Sequence, residues 1–346
     1  MKSIVTAQCL THIDRMDDAI ATALRKMGLG EPLAIEPLAG GVSCDVFAVD
    51  LPGRRICVKR ALPKLRVQAD WSAPQERSHA EAQWLRLVSG MDARLVPKVL
   101  GEDRERHIFA MEYLEPRRFP VWKSLLAEGC ADPAFAGGVG ASLARIHALT
   151  AGRADIAADF DNRAQFHALR IEPYFLHTAG RHPDVAQAIL DLARGVEASA
   201  IALMHGDISP KNILCGPDGP VFLDAETASY GDPAFDIAFC LNHLLLKGVW
   251  HPSNAGPLAE SFLALWRAYL DGADWEPRAA LRQRTALLLP ALLLARMDGK
   301  SPVEYLAGDE KKKEFVRRQA KPLLEARSPD LEAVADGWTS ALAALD

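Results

Sequence analysis

The chain has 346 residues, 49% of them hydrophobic and 25% charged, with a net charge of −5. Such a length and balance fit a soluble globular protein of two domains or two lobes, and the acidic sign leaves no basic footprint for nucleic acid. The longest apolar run, Ala286 to Ala295, is broken by Pro290 and is too short to span a bilayer.

Six cysteines (Cys9, Cys44, Cys57, Cys130, Cys215 and Cys240) show no Cys-x-x-Cys spacing, and most sit among apolar neighbours. They read as buried free thiols in a reducing compartment rather than as zinc ligands or disulfides. The first residues lack a charged-then-apolar signal pattern, so the expected location is cytoplasmic, with no membrane partner.

In chain order, residues 14–28 predict a helix. Ile20, Leu24 and Met27 share one face, and Gly28 and Gly30 stop it. Leu33 to Asp50 predicts two strands around Gly40-Gly41-Val42-Ser43, a turn whose glycines allow close approach of backbone N–H groups to an anion. After the Pro52-Gly53 turn, Ile56-Cys57-Val58-Lys59 is a short apolar strand ending in a lysine. The segment from Ala73 to Val88 predicts a helix with two candidate acids, Glu76 and Glu81. Glu81 shares its face with Trp84 and Leu85 and so points to the core side, where a carboxylate without a cation is costly. Val96 to Leu114 predicts two further strands, and Pro116-Arg-Arg-Phe-Pro120 marks a boundary. Beyond about residue 120 the pattern is mainly helical.

The densest chemistry lies in Leu203-Met-His-Gly-Asp-Ile-Ser-Pro-Lys-Asn-Ile-Leu214 and Val221-Phe-Leu-Asp-Ala-Glu226. Asp207 stands five residues before Asn212, and Asp224 twelve beyond that. Gly216-Pro-Asp-Gly-Pro220 reads as the turn of a hairpin, with Asp207 on the entering loop and Asp224 at the far end. Three oxygen-bearing side chains would then converge. Phosphoryl transfer asks for such a set: a carboxylate to receive a hydroxyl proton, and hard oxygen ligands for nucleotide-borne Mg2+.

His205-Gly-Asp207-x4-Asn212 followed by Asp224-x-Glu226 resembles the aminoglycoside phosphotransferase and choline kinase superfamily. Tyr230-Gly-Asp-Pro-Ala-Phe-Asp236-Ile-Ala extends the match. The resemblance implies an α+β, bilobal, protein-kinase-like fold: residues 1–115 a nucleotide-binding lobe with a small antiparallel sheet and one main helix, residues 116–346 a mainly helical catalytic and acceptor-binding lobe. It implies ATP or GTP as donor, Mg2+, and a small hydroxylated acceptor. Asp207 would be the catalytic base, with Asn212, Asp224 and Glu226 the metal ligands and Asp236 a support for the loop. Lys59, held by Glu81, and the turn at Gly40, Gly41 and Ser43 would take the phosphates, although relatives often carry Ser-Asn where this chain has Ser43-Cys44-Asp45. The Glu112 carbonyl and Leu114 amide would read the base, and His147 would be structural. Trp250, His251, Arg296, Asp298 and Lys300 are candidates for the acceptor pocket, without a fixed motif.

A protein kinase fits less well. Gly206 stands where an arginine is usual, Asp-Ala-Glu replaces Asp-Phe-Gly, and nine residues between Glu226 and Asp236 leave no room for an activation segment. A nucleotide-binding pseudokinase module is the alternative of another class, and an aminoglycoside-modifying kinase the alternative within the family. Beyond Glu115 the charge is close to balanced once Asp207, Asp224 and Glu226 are set aside. That points to a sugar or amino alcohol metabolite, neutral or singly charged, rather than a polycation.

Overall fold

The computed structural model describes residues 18–38, 43–66, 73–326 and 329–344. The chain divides into two compact units, Met1–Glu115 and Pro116–Asp346.

The first unit is built on a five-stranded antiparallel sheet: β1 (Ala34–Leu38), β2 (Cys44–Leu51), β3 (Arg54–Ala61), β4 (Val99–Asp103) and β5 (Ile108–Glu112), in the order β1-β2-β3-β5-β4. Alternation along the strands sorts the side chains. Phe47, Val49 and Leu51 of β2 and Ile56 and Val58 of β3 pack with Ile20, Ala23 and Leu24 of the helix at 18–26. Lys59, next in line after Val58, therefore belongs to the other face. The helix at 18–26 falls within the expected 14–28, of which residues 14–17 lie outside the described residues. The main helix, Arg77–Met91, buries Ala80, Glu81, Trp84, Leu85 and Val88, an i, i+4, i+8 stripe with Glu81 beside it.

The second unit is mainly helical. Its central helix, Pro233–Trp250, is buried at every position from Pro233 to Val249. Asp232 caps it, accepting from the Ala234 N–H at 3.0 Å, with Pro233 at the first position where a missing N–H costs nothing. Around it pack Pro133–Thr150, Ala255–Gly272 and Arg278–Asp298. Gly140 sets how closely two of these approach: a Cβ there would lie 2.1 Å from the Leu265 carbonyl oxygen.

Two small ladders interrupt the helices. The anticipated hairpin is β7 (Ile213–Gly216) with β8 (Gly219–Phe222); Pro220 is part of β8, opposite Cys215, rather than of the turn. The second, β6 (Ala202–Met204) with β9 (Ser229–Gly231), has no counterpart in the sequence reading. His167–Leu176 is π-helical with Pro173 inside it, a widened turn of the kind often found at functional sites.

Among the described residues Cys44, Cys57 and Cys240 are buried, Cys215 is partly buried and Cys130 exposed, and these five are not joined in disulfides. No helix among the described residues is long and apolar enough to cross a membrane.

Candidate active site

In the first unit the Lys59 ammonium sits 2.7 Å from each Glu81 carboxylate oxygen, with both residues buried. Glu76, the other candidate, is exposed where the helix begins. Such a pair is costly to desolvate and strong once formed, so it fixes the lysine more than it stabilises the fold. The neighbouring Arg77 is fully buried and donates to four backbone carbonyls, those of Ala73 (3.0 Å), Pro74 (2.8 Å), Ser43 and Leu62. One guanidinium thus ties the start of the helix to the start of β2. Ser43 is buried there, whereas Gly40 and Gly41 lie outside the described residues. Glu112 closes β5 opposite Ile56, and Leu114 follows two residues later.

In the second unit β6 leads straight into His205-Gly206-Asp207. The loop hangs on Asp236, whose fully buried carboxylate accepts the His205 N–H (2.7 Å) and the Gly206 N–H (2.8 Å). His147 stands behind it, with Nε2 3.4 Å from Asp236 and Nδ1 2.7 Å from the Tyr269 hydroxyl, a structural setting. Gly206 has φ +77°, and a Cβ there would lie 2.6 Å from Thr227 Oγ1, so the position is closed to side chains on both counts. His205 joins the two ends of the hairpin. Its Nδ1 accepts the Asp207 N–H (3.2 Å), so Nε2 carries the proton and donates to the Leu223 carbonyl (3.0 Å). Burial holds its pKa below the ordinary histidine value, which keeps this neutral tautomer.

Asp207 is buried, with Lys211 Nζ 3.0 Å from one oxygen and Arg170 Nη2 3.2 Å from the other. Burial works against its charge, but Lys211 and Arg170 outweigh it and hold the carboxyl below its usual range. Asn212 Nδ2 donates to the Asp207 carboxylate (2.9 Å) and to its carbonyl (3.0 Å). An ionised carboxylate fixed on three sides is a group for orienting a hydroxyl and taking its proton late.

The donor set fits a magnesium ion that arrives with phosphates. The Asn212 amide nitrogen is committed to Asp207, so its oxygen is the end left to face a cation. Asp224, half-buried just past β8, adopts the left-handed region at φ +67°, a costly conformation for a non-glycine residue and one that gathers at functional sites. Asp207, Glu226 and Asp224 all lie near enough to Arg170 to support its charge, so the three acids share one neighbourhood. The described residues contain no group of three or more His, Cys, Asp or Glu side chains able to hold a metal alone. One carboxylate and one amide suit Mg2+, which usually keeps water and substrate phosphates among its ligands.

Two residues here escaped the sequence reading. Lys211 lies inside the motif, four residues on from Asp207. Arg170 comes from the π-helical stretch, where a lone charge between Leu169 and Ile171 was the available signal; it also donates to the Gly206 carbonyl (2.6 Å). Of the acceptor candidates, Asp298 is engaged by His182 (2.9 Å) and Arg317 (2.6 Å), and Lys300 by Glu172 (2.7 Å). Arg296 instead donates to the Tyr174 hydroxyl (3.0 Å), and Tyr174 lies under the Arg170 guanidinium at 5.4 Å.

Residues 34–281 match the model of a phosphotransferase enzyme family. Methylthioribose kinase 1 of Oryza sativa subsp. japonica is 27% identical over 254 residues, which cover 65% of this chain and 59% of that protein. The methylthioribose kinase of Pectobacterium carotovorum subsp. carotovorum (strain PC1) is 27% identical over 320 residues, 79% of this chain and 80% of that one. The chain thus spans 59% of the length of the rice relative. Among solved structures, an amicoumacin kinase in complex with AMP-PNP, Ca2+ and Ami is similar with a TM-score of 0.55 at 15% identity, over 88% of this chain and 92% of that one. That likeness bears out the α+β, protein-kinase-like fold.

Proposed function

The chain belongs to the phosphotransferase enzyme family, and from that premise we propose that it transfers the terminal phosphoryl group of ATP or GTP to a hydroxyl of a small metabolite. The observation that carries the reading is the setting of Asp207: ionised, buried and oriented by Asn212, with Asp224 and Glu226 close by.

In this reading Asp207 aligns the acceptor hydroxyl and receives its proton late in a loose transition state. Asn212 and Asp224 hold Mg2+, with Glu226 a further ligand; the ion supplies charge neutralisation for the transferred group. In the first unit, residues 1–115, Lys59 neutralises donor phosphate while Glu81 keeps it in place. Gly40, Gly41 and Ser43 offer backbone N–H groups to the phosphates, and the Glu112 carbonyl and Leu114 amide meet the base. Residues 116–346 carry the base, the metal ligands and the acceptor. Catalysis is then mostly positioning and electrostatics.

The names of the methylthioribose kinase relatives support a sugar as the acceptor class to try first, and the near-balanced charge beyond Glu115 keeps amino alcohols beside it. The test is ADP or GDP release across a panel of hydroxylated metabolites and aminoglycosides, for the native chain and for Asp207→Asn. Transfer that survives Asp207→Asn within a few-fold would remove Asp207 from its role.

A further inference from the structure

Near the Asp207 loop, the second unit gathers positive charge that its own acids answer only in part. Lys247, on the central helix and 1% exposed, has no hydrogen-bond partner for its ammonium among the described residues. Instead the nitrogen lies 4.2 Å from the Trp250 ring centroid and 3.9 Å from that of Tyr305. Aromatic faces soften a cation's burial but do not neutralise it. The ammonium occupies the kind of aromatic setting that elsewhere receives a ligand's quaternary nitrogen, which argues against a cationic acceptor.

The surroundings repeat the pattern. His243, one turn before Lys247, is pushed well below its ordinary pKa by burial and then by Arg296, Lys211, Lys247 and Lys123. Its Nε2, Arg296 Nε and the Tyr305 hydroxyl are likewise buried without a hydrogen-bond partner. Glu304 answers Lys123 through an ion pair. Lys211 leans on Asp207, so the cluster is continuous with the carboxylate that takes the hydroxyl. The Lys247 ammonium, Arg296 Nε and the Tyr305 hydroxyl are thus buried donors in one neighbourhood without an acceptor among the described residues, and they constitute a site for an anion.

We infer that the acceptor carries an anionic group, a carboxylate or a phosphate, bound by Lys247 and Arg296 with Tyr305 and His243 beside them while its hydroxyl meets Asp207. The inference rests on the phosphotransferase reading for the role of Asp207, and on the cation cluster alone for the anion. It narrows the acceptor from sugars and amino alcohols at large to sugar acids, sugar phosphates or hydroxy acids.

The test is calorimetric and uses the full chain saturated with AMP-PNP, so that the donor site is filled. Ribose 5-phosphate is compared with ribose, D-glycerate with glycerol, and kanamycin serves as a polycation. The two anionic probes should each bind about tenfold or more tightly than their neutral partners. Lys247→Met and Lys247→Gln should abolish that preference without lowering the melting temperature, since each removes a buried uncompensated charge. A preference for phosphate alone or carboxylate alone would identify the headgroup. Equal affinities, tighter binding of kanamycin, a preference that survives both variants, or no binding of either anion at millimolar concentration would overturn the proposal. The two readings separate cleanly. Anion preference without phosphoryl transfer to any acceptor would sink the kinase and leave the anion site, while transfer to neutral acceptors without anion preference would do the reverse.

Discussion

Lys59 and Lys247 are both buried lysines, and their surroundings are opposite. Lys59 faces two carboxylate oxygens of Glu81 at 2.7 Å; Lys247 faces two aromatic rings and has no hydrogen-bond partner among the described residues. The first arrangement is complete within the protein, so it sets a position. The second leaves charge to be answered from outside, so it sets a preference. Burial alone therefore says little about what a charged side chain does; its partner decides.

The largest effect expected belongs to neither lysine but to the carboxylate between the two roles. Asp207→Asn should lower kcat by roughly 10²- to 10⁴-fold, the range for a lost general base, with nucleotide affinity little changed. Single-turnover measurements on the variant would check it. Next come Lys59→Ala and Glu81→Ala. Each removes one partner of a buried ion pair and should cost about 3–5 kcal/mol of stability. The double variant should lose clearly less than the sum, as read by urea denaturation; additive losses would mean that the pair is not a unit. Lys247→Met should show no such cost, which is the contrast in its sharpest form.

Gly206→Ala should be smaller, on the order of 1–3 kcal/mol for a side chain forced to positive φ, increased by contact with Thr227, and should lower turnover because it moves Asp207. Unchanged turnover with an intact fold would show that the loop tolerates a shift. The smallest effect is in pH. Burial, then Lys123, pushes Lys247 down to about 8, with Glu304 opposing. Lys312 lies near His251, which also faces this lysine. The folded value lies below the unfolded one, so between about pH 8 and 10.4 the unfolded chain holds more protons at this group, and its contribution to stability rises with pH. Affinity for an anionic acceptor should instead fall above pH 8, by at most about tenfold per unit. Calorimetry in buffers of different ionisation enthalpy should record proton uptake on binding there; none would place the charge elsewhere.

Much of this was legible in the residues. Short apolar runs set between glycine and proline turns marked the strands of the first unit, and the face shared by Glu81, Trp84 and Leu85 singled out the partner of Lys59. Asp207, Asn212 and Asp224 were readable because polar side chains at the ends of apolar runs demand a reason. Arg170 was not, because its approach to Asp207 depends on a π-helical stretch that no local pattern announces. The β6–β9 ladder was missed because three-residue strands carry too little periodicity. The charge around Lys247 was hidden for another reason. Net charge over the large unit averages it away, and Arg296, Lys123 and Tyr305 meet only through tertiary packing.

Asp236 and Lys247 stand on the same buried helix, eleven residues apart, and this gives the molecule a measuring rod. At about 1.5 Å per residue the helix separates the backbone positions of Asp236, which anchors the Asp207 loop, and Lys247 by roughly 16 Å along its axis. Packed on all sides, that helix cannot stretch or bend to suit a guest. The spacing between hydroxyl and anion within the acceptor is then read mechanically. Acceptors equal in charge should therefore still differ in affinity with their length.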